Sequence, residues 1–278
     1  MGDTVLGKDL ISEPRMWNLA MRLSPAQLDV MLYNGSRPDS LIYRRMPLDT
    51  SSATWIKALE ETIYDNPLLL GDFNSTHIIV DTTRVAVVPE EVTADTDMQE
   101  TVADMLLPDD DADEELITSL IPSLSVAMMM KMPEETATFL RRTFNNPAIM
   151  HHLVPLCRYF FNSSKLGHTG RVYVNLRQKS LDILAFGNDR LLLANTFEFD
   201  NITDAVYYIM ACRETLGCSD RNNEVLLAGN AEVREELTPI LREYIGYVMP
   251  AIFPSTMFKA GKEALTAPFD LIVLPLCE

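Results

Sequence analysis

The residues able to do chemistry are few and, for most chemistries, badly spaced. His151 and His152 are adjacent, and on the helix their surroundings suggest they point about 100° apart. That is poor geometry for one metal ion, which i and i+4 spacing would serve. Cys157, Cys212, Cys218 and Cys277 contain no Cys-x-x-Cys, so no zinc or thioredoxin-type motif is written locally. They read as reduced thiols, buried like small apolar residues. There is no Gly-x-Ser-x-Gly elbow, and none of the histidines has a nucleophile at a recognised spacing, so hydrolase chemistry has no support. Ala260-Gly-Lys-Glu263 lacks the earlier Gly and the following Ser or Thr of a Walker A loop. From Val85 to Met130 there is no Lys or Arg, while Asp109, Asp110, Asp111, Asp113, Glu114 and Glu115 crowd together. As a cation trap this run lacks the alternating ligands and central Gly of a calcium loop. It reads instead as a solvated loop leading into a helix whose N-terminus favours acids. No catalytic residue and no metal ligand is assigned.

Charge narrows the partners. With 23 basic against 40 acidic side chains, a net charge near −17 argues against nucleic acid, which is held by many Lys and Arg, and against an anionic membrane surface. The longest uncharged apolar stretch, Leu116 to Met130, is broken by Pro122 and falls short of the roughly 20 residues a span needs. Met1 to Trp17 carries Asp3, Lys8, Asp9, Glu13 and Arg15 with no apolar h-region, so a signal peptide is not expected and the cytoplasm is.

The elements that must position any site repeat. Leu19-Ala-Met-Arg-Leu-Ser-Pro-Ala-Gln-Leu-Asp-Val-Met-Leu-Tyr33 matches Val172-Tyr-Val-Asn-Leu-Arg-Gln-Lys-Ser-Leu-Asp-Ile-Leu-Ala-Phe186 at constant offset: Leu23 meets Leu176, Leu28-Asp29 meets Leu181-Asp182, and Tyr33 meets Phe186. Each reads as strand, polar turn, strand, followed by Asn34-Gly35 in one copy and Gly187-Asn188 in the other, residues that tolerate positive φ. A third strand follows, Ser40–Asp49 or Leu191–Asp200. Then comes a helix, spaced by Trp55, Ile56, Leu59 and Ile63 or by Val206, Ile209, Met210 and Leu216. A buried strand closes each copy, His77–Val80 and Glu224–Leu227. The order β-β-β-α-β occurs twice, an α/β architecture of two duplicated units with helical insertions. It divides the chain at 1–145, with an acidic insertion at about 89–120, and 146–278. Elsewhere the patterns predict a strand over Leu124–Met132 and helices over Glu134–Phe144, Ala148–Phe161 and Ala231–Tyr244. A helical turn or two is expected over Lys259–Thr266, and a last sheet-completing strand over Phe269–Leu276.

This doubled unit resembles the actin-like ATPase (ribonuclease H-like) fold of actin, the Hsp70 ATPase domain and sugar kinases. More narrowly, it looks like an uncharacterised bacterial family with that fold. The resemblance implies ATP between two halves, an Asp-x-Gly turn in the first hairpin of each half to hold Mg²⁺ and water, and a Gly-Gly pair near the adenosine. Glycines there let backbone N–H groups approach phosphates. The corresponding residues here are Arg22-Leu23-Ser24, Asn175-Leu176-Arg177 and Ala228-Gly229-Asn230, so both carboxylates are replaced. Asp81, Asp29 and Asp182 are the candidate substitutes; Asp81 follows the fourth strand, while Asp29 and Asp182 lie within strands and suit a structural use. Arg22 and Arg177 have two uses open to them, binding a phosphate or acting as turn residues that face solvent or pair with local acids. Arg22, Ser24, Asp81, Asn175, Arg177, Gly229 and Asn230 are therefore the candidate cleft residues. The resemblance with its motifs lost implies a non-catalytic, degenerate ATPase that binds a protein partner or serves as a scaffold, with no cofactor. The alternatives are a divergent nucleotide-dependent phosphotransferase or ATPase, with ATP and Mg²⁺ in the cleft, and a ligand sensor without hydrolysis.

Overall fold

The computed structural model describes residues 6–108, 113–165, 171–187, 189–218, 223–254 and 264–277. The chain forms two compact units. The first comprises Met1–Leu120, Ala127–His152 and Ser255–Ala267, the second Ile121–Val126, Leu153–Pro254 and Pro268–Glu278.

In the first unit β1 (Asn18–Leu23), β2 (Gln27–Asn34), β3 (Arg37–Pro47), α1 (Trp55–Tyr64) and β4 (Ser75–Val80) follow in order. β1 to β3 pair antiparallel and β4 runs parallel to β1. With β8 (Ala148–His151) at the edge, the sheet order is β3-β2-β1-β4-β8. Strand alternation divides the chemistry. Leu19, Met21, Leu23, Leu28, Val30 and Leu32 face a core built with Ala58, Leu59 and Ile63 of α1, whereas Arg22 and Asp29 project from the other face. Between β4 and β8 lies a three-stranded sheet, β5 (Ala86–Pro89), β7 (Val126–Pro133) and β6 (Glu114–Ile121), with α2 (Thr96–Leu106) packed on it through Ala103 and α3 (Glu134–Thr143) after it.

After Ile121–Val126 the second unit resumes with α4 (Leu153–Ser164). It then runs β9 (Arg171–Leu176), β10 (Ser180–Gly187), β11 (Arg190–Glu198), α5 (Ile202–Thr215), β12 (Glu224–Gly229), α6 (Ala231–Tyr244), β13 (Tyr247–Pro250) and α7 (Phe269–Val273). Its sheet order, β11-β10-β9-β12-β13, follows the plan of the first. Val172, Val174, Leu176, Leu181 and Ile183 face α5 and α6, the latter through Leu237 and Leu241. On the opposite face Phe160 of α4 stacks on Tyr173 at 4.4 Å and on Phe269 of α7 at 5.6 Å.

Three expectations are corrected. Phe269–Leu276 is not a strand: Phe269–Val273 is helical and Leu274–Leu276 a 3-10 turn. Phe269 to Leu274 are all buried, so the apolar run carries no period to separate helix from strand. Pro268 occupies the position before its first turn, and β13 completes the sheet. Ala148–Phe161 is not one helix but β8 and then α4, because Ala148–His151 pair with His77–Val80. Acids after residue 112 do not open a helix. Asp113 precedes β6, where Glu114 and Glu115 meet Arg84 and Arg141, so arginines rather than a helix dipole hold them. Asp109–Asp111, Asn188 and Ala260–Glu263 lie outside the described residues. In the second hairpin Asp189 adopts the left-handed conformer, φ 58°.

Candidate functional site

β1 and β9 end in matching tight turns. Ser24 N–H donates to the Gln27 carbonyl at 3.1 Å, as Arg177 N–H does to that of Ser180 at 2.8 Å. The Ser24 hydroxyl also donates to Gln27 O at 2.8 Å, and its carbonyl accepts from Trp55 Nε1 at 3.2 Å. Ser24 thus closes its own turn against α1. One residue beyond the parallel fourth strand the copies also match: Asp81 N–H donates to Leu23 O at 2.8 Å and Asn230 N–H to Leu176 O at 2.7 Å. Arg22 and Asn175 are consequently equivalent, as are Asp81 and Asn230.

Their chemistry differs. Arg22 and Asp81 form a salt bridge of 2.9 Å, with side chains 5% and 15% exposed. The His152 Nδ1 lies 3.8 Å from the other Asp81 oxygen. His151, at the end of β8, makes a 2.9 Å contact between Nε2 and the Thr82 carbonyl, and the two imidazoles lie tilted at 35° with centroids 4.2 Å apart. The histidine pair therefore ends a strand beside Asp81 rather than lying on a helix. In the second unit Asn175 Nδ2 donates to Asp182 Oδ2 at 2.8 Å, while Arg177 and Thr196 donate to Oδ1, each at 2.8 Å. Asn230 Oδ1 accepts from Val233 N–H at 3.1 Å and caps α6.

Asp29 and Asp182 are each wholly buried on the second strand, and each is surrounded by donors. Asp29 accepts from Tyr43 Oη at 2.5 Å, Arg45 Nε at 3.0 Å and Gln27 Nε2 at 2.8 Å. Burial first, and then this carboxylate, push the Tyr43 hydroxyl well above the ordinary tyrosine range. Likewise burial, and secondarily Asp182, push up the Cys157 thiol. Cys157 alone among the cysteines is fully buried; Cys212, Cys218 and Cys277 are half-buried. Nothing in the sequence marks Gln27, Tyr43, Arg45 or Thr196 as partners of these acids. Arg45 and Thr196 stand directly across the ladder from Asp29 and Asp182, but a register shift in each hairpin, at Tyr33/Asn34 and at Ala185/Phe186, means that counting back from the turn reaches Ile42 and Asn195 instead.

These positions do not suit Mg²⁺-ATP. At Arg22 a cation stands where the metal's carboxylate would be, and Asp81 is already its counter-ion. An Asp at 175 would set two buried carboxylates within hydrogen-bond distance, so one would have to take a proton; Asn175 donates instead. Gly229 (φ 85°) has no phosphate cradle behind it, since a Cβ there would lie 2.1 Å from Leu176 O. Its glycine is required by its own neighbour strand. Among the described residues no group of three His, Cys, Asp or Glu could hold a metal ion.

With this geometry in view, similarity to solved structures places the fold. A Bacteroides thetaiotaomicron protein of actin-like ATPase fold and unknown function superposes with a TM-score of 0.80 at 22% identity, covering 95% of this chain and 97% of that one. A structure of the PilM-PilN type IV pilus biogenesis complex matches with a TM-score of 0.53 at 13% identity, over 95% of this chain and 98% of that chain. The chain has the actin-like ATPase fold. No curated protein matches it in sequence. Residues 11–248 match the family described as "Protein of unknown function (DUF3822)", and the chain belongs to that family.

Proposed function

We propose that the chain is a non-catalytic actin-like protein, a degenerate ATPase that works by binding a protein partner. The observation that carries this reading is the 2.9 Å Arg22–Asp81 pair. The one acid placed after the fourth strand, where a substitute metal ligand would stand, neutralises an arginine at the position of the first lost carboxylate. Asp29 and Asp182 are engaged by donors inside their own sheets, so the reading gives them structural work. PilM, a fold neighbour, is found in complex with PilN; that is precedent at the level of fold, which does not fix function. On the same reading the two β-β-β-α-β units arose by duplication, and the protein acts in the cytoplasm on a partner with a basic surface. Among the described residues no helix is long and apolar enough to cross a membrane.

The test is a thermal-shift titration with Mg-ATP and Mg-ADP to millimolar concentration. A ligand at about 100 times its Kd adds ~2.7 kcal/mol, a rise of a few degrees in Tm. No shift is expected. A saturable, Mg²⁺-dependent rise that Asp81→Ala abolishes would overturn the proposal in favour of the divergent phosphotransferase.

A further inference from the structure

We propose that a groove on the first unit, between α1, the turn Pro67–Leu70 and α3, docks a partner segment bearing Lys or Arg around an apolar side chain. This deepens the partner-binding reading above and rests on it for its biological sense. The groove has a volume of about 1000 Å³ and lies on the α1 side of the sheet, the face opposite Arg22.

Charge argues the occupant's sign. Glu60 of α1, Asp113 at the head of β6, and Glu134 and Glu135 of α3 all line the groove, against one cation, Arg142. Glu134 and Glu135 have a local reason to be acidic, since they sit in the first turn of a helix. Glu60 and Asp113 have none, and they reach the groove from other elements. Among the described residues none of the four forms an ion pair; nearby arginines are spent on other acids, Arg141 on Glu115 and Arg15 on Asp72.

Apolar surface argues the occupant's kind. Tyr64 and Leu70 are 56% and 43% exposed, and both line the groove beside Phe139, whose ring meets Tyr64 edge-on at 6.2 Å. A bare metal ion would leave that surface wet, and a phosphorylated ligand would meet like charge. A segment with cations flanking a leucine or aromatic satisfies both.

The probe is a fluorescein-labelled peptide alternating lysine and leucine about one tryptophan, titrated by anisotropy. Its controls carry Glu for Lys or Gly for Leu. Saturable binding is expected for the first peptide. It should weaken about ten-fold or more in Glu60→Lys/Glu134→Lys protein, and also lose affinity in Tyr64→Ser protein. Glu235→Lys/Glu236→Lys, the same charge change on exposed α6, should leave it unaltered. If the groove reversal lowers Tm, the isosteric Glu60→Gln/Glu134→Gln pair replaces it. Absence of binding, equal binding by the groove variants, or equal loss in the α6 control would overturn the proposal. A Mg-ATP shift would sink the pseudo-ATPase reading while leaving this outcome untouched.

Discussion

Arg22 and Asn175 occupy one register in two sheets built to one plan, yet their partners differ. Arg22 reaches across to the end of the neighbouring parallel strand and pairs with Asp81. Asn175 turns along its own sheet to Asp182, leaving Asn230, the counterpart of Asp81, to cap a helix. The fold thus demands that the polar end of this strand be satisfied, but not by one chemistry. A charge pair serves where the chain leaves for a long insertion, and a neutral amide serves where it enters α6 at once. The same contrast runs through the buried acids. Asp182 is held by Asn175, Arg177 and Thr196, with the Arg177 side chain 17% exposed. Asp29 leans on an arginine that is 49% exposed.

That difference sets the largest predicted effect. Asp182→Ala leaves three donors without their acceptor in a site water barely enters, a loss of about 3–5 kcal/mol. Asp29→Ala frees Arg45 and Gln27 to rehydrate and strands mainly Tyr43, a loss nearer ~2–3 kcal/mol. Urea denaturation of both variants measures the order, and a reversal would mean that the two acids are not used as the exposures indicate. Tyr43 supplies an independent reading. With its hydroxyl raised by burial and then by Asp29, the stability it contributes is complete below the ordinary tyrosine pKa and is lost as pH rises through the folded value. In Asp29→Asn its absorbance titration should therefore move to lower pH.

Asn175→Asp sharpens the comparison at a smaller scale. It introduces the acid that the resemblance to actin-like ATPases implies at this position, but places it against Asp182. One carboxyl must then be protonated in the folded state, at ~1.4 kcal/mol per unit of raised pKa. A raised acid favours folding at low pH and disfavours it as pH rises. The deficit against the parent protein should be small near pH ~4 and grow toward neutrality. A pH-independent deficit would mean that the Asn175–Asp182 contact is not what the substitution disturbs.

Much of this plan was legible beforehand. The strand-turn-strand repeat, with Leu23 against Leu176 and Asp29 against Asp182, follows from alternation and offset, because a strand's period of two leaves a visible trace. Pairing chemistry was less legible. Whether Arg22 faces solvent or Asp81 depends on a parallel partner more than fifty residues away, and no local spacing encodes that register. α7 was hidden for a different reason. With every one of its residues buried, no polar face marks a helix, and Phe269 is placed by stacking on Phe160 rather than by pattern. Adjacency in sequence reads His151 and His152 as helix neighbours, whereas the β4–β8 pairing puts them beside Asp81.

The smallest effect separates equivalence of place from equivalence of use. If Asn230 serves α6 as its cap, Asn230→Ala costs about 1 kcal/mol, while Asn230→Asp, an equally good cap at the positive end of a helix, changes stability by a few tenths of that. The inverse exchange in the first unit, Asp81→Asn, keeps the shape but leaves the buried Arg22 without its counter-charge, and should cost more than Asn230→Asp does. Thermal denaturation of both exchanges decides between the two accounts. Equal tolerance at both positions would mean that Arg22 draws its stabilisation from elsewhere, and Asp81 would again be available as a ligand. A penalty at Asp81 alone leaves that carboxylate committed to the fold, which is the condition the non-catalytic reading requires.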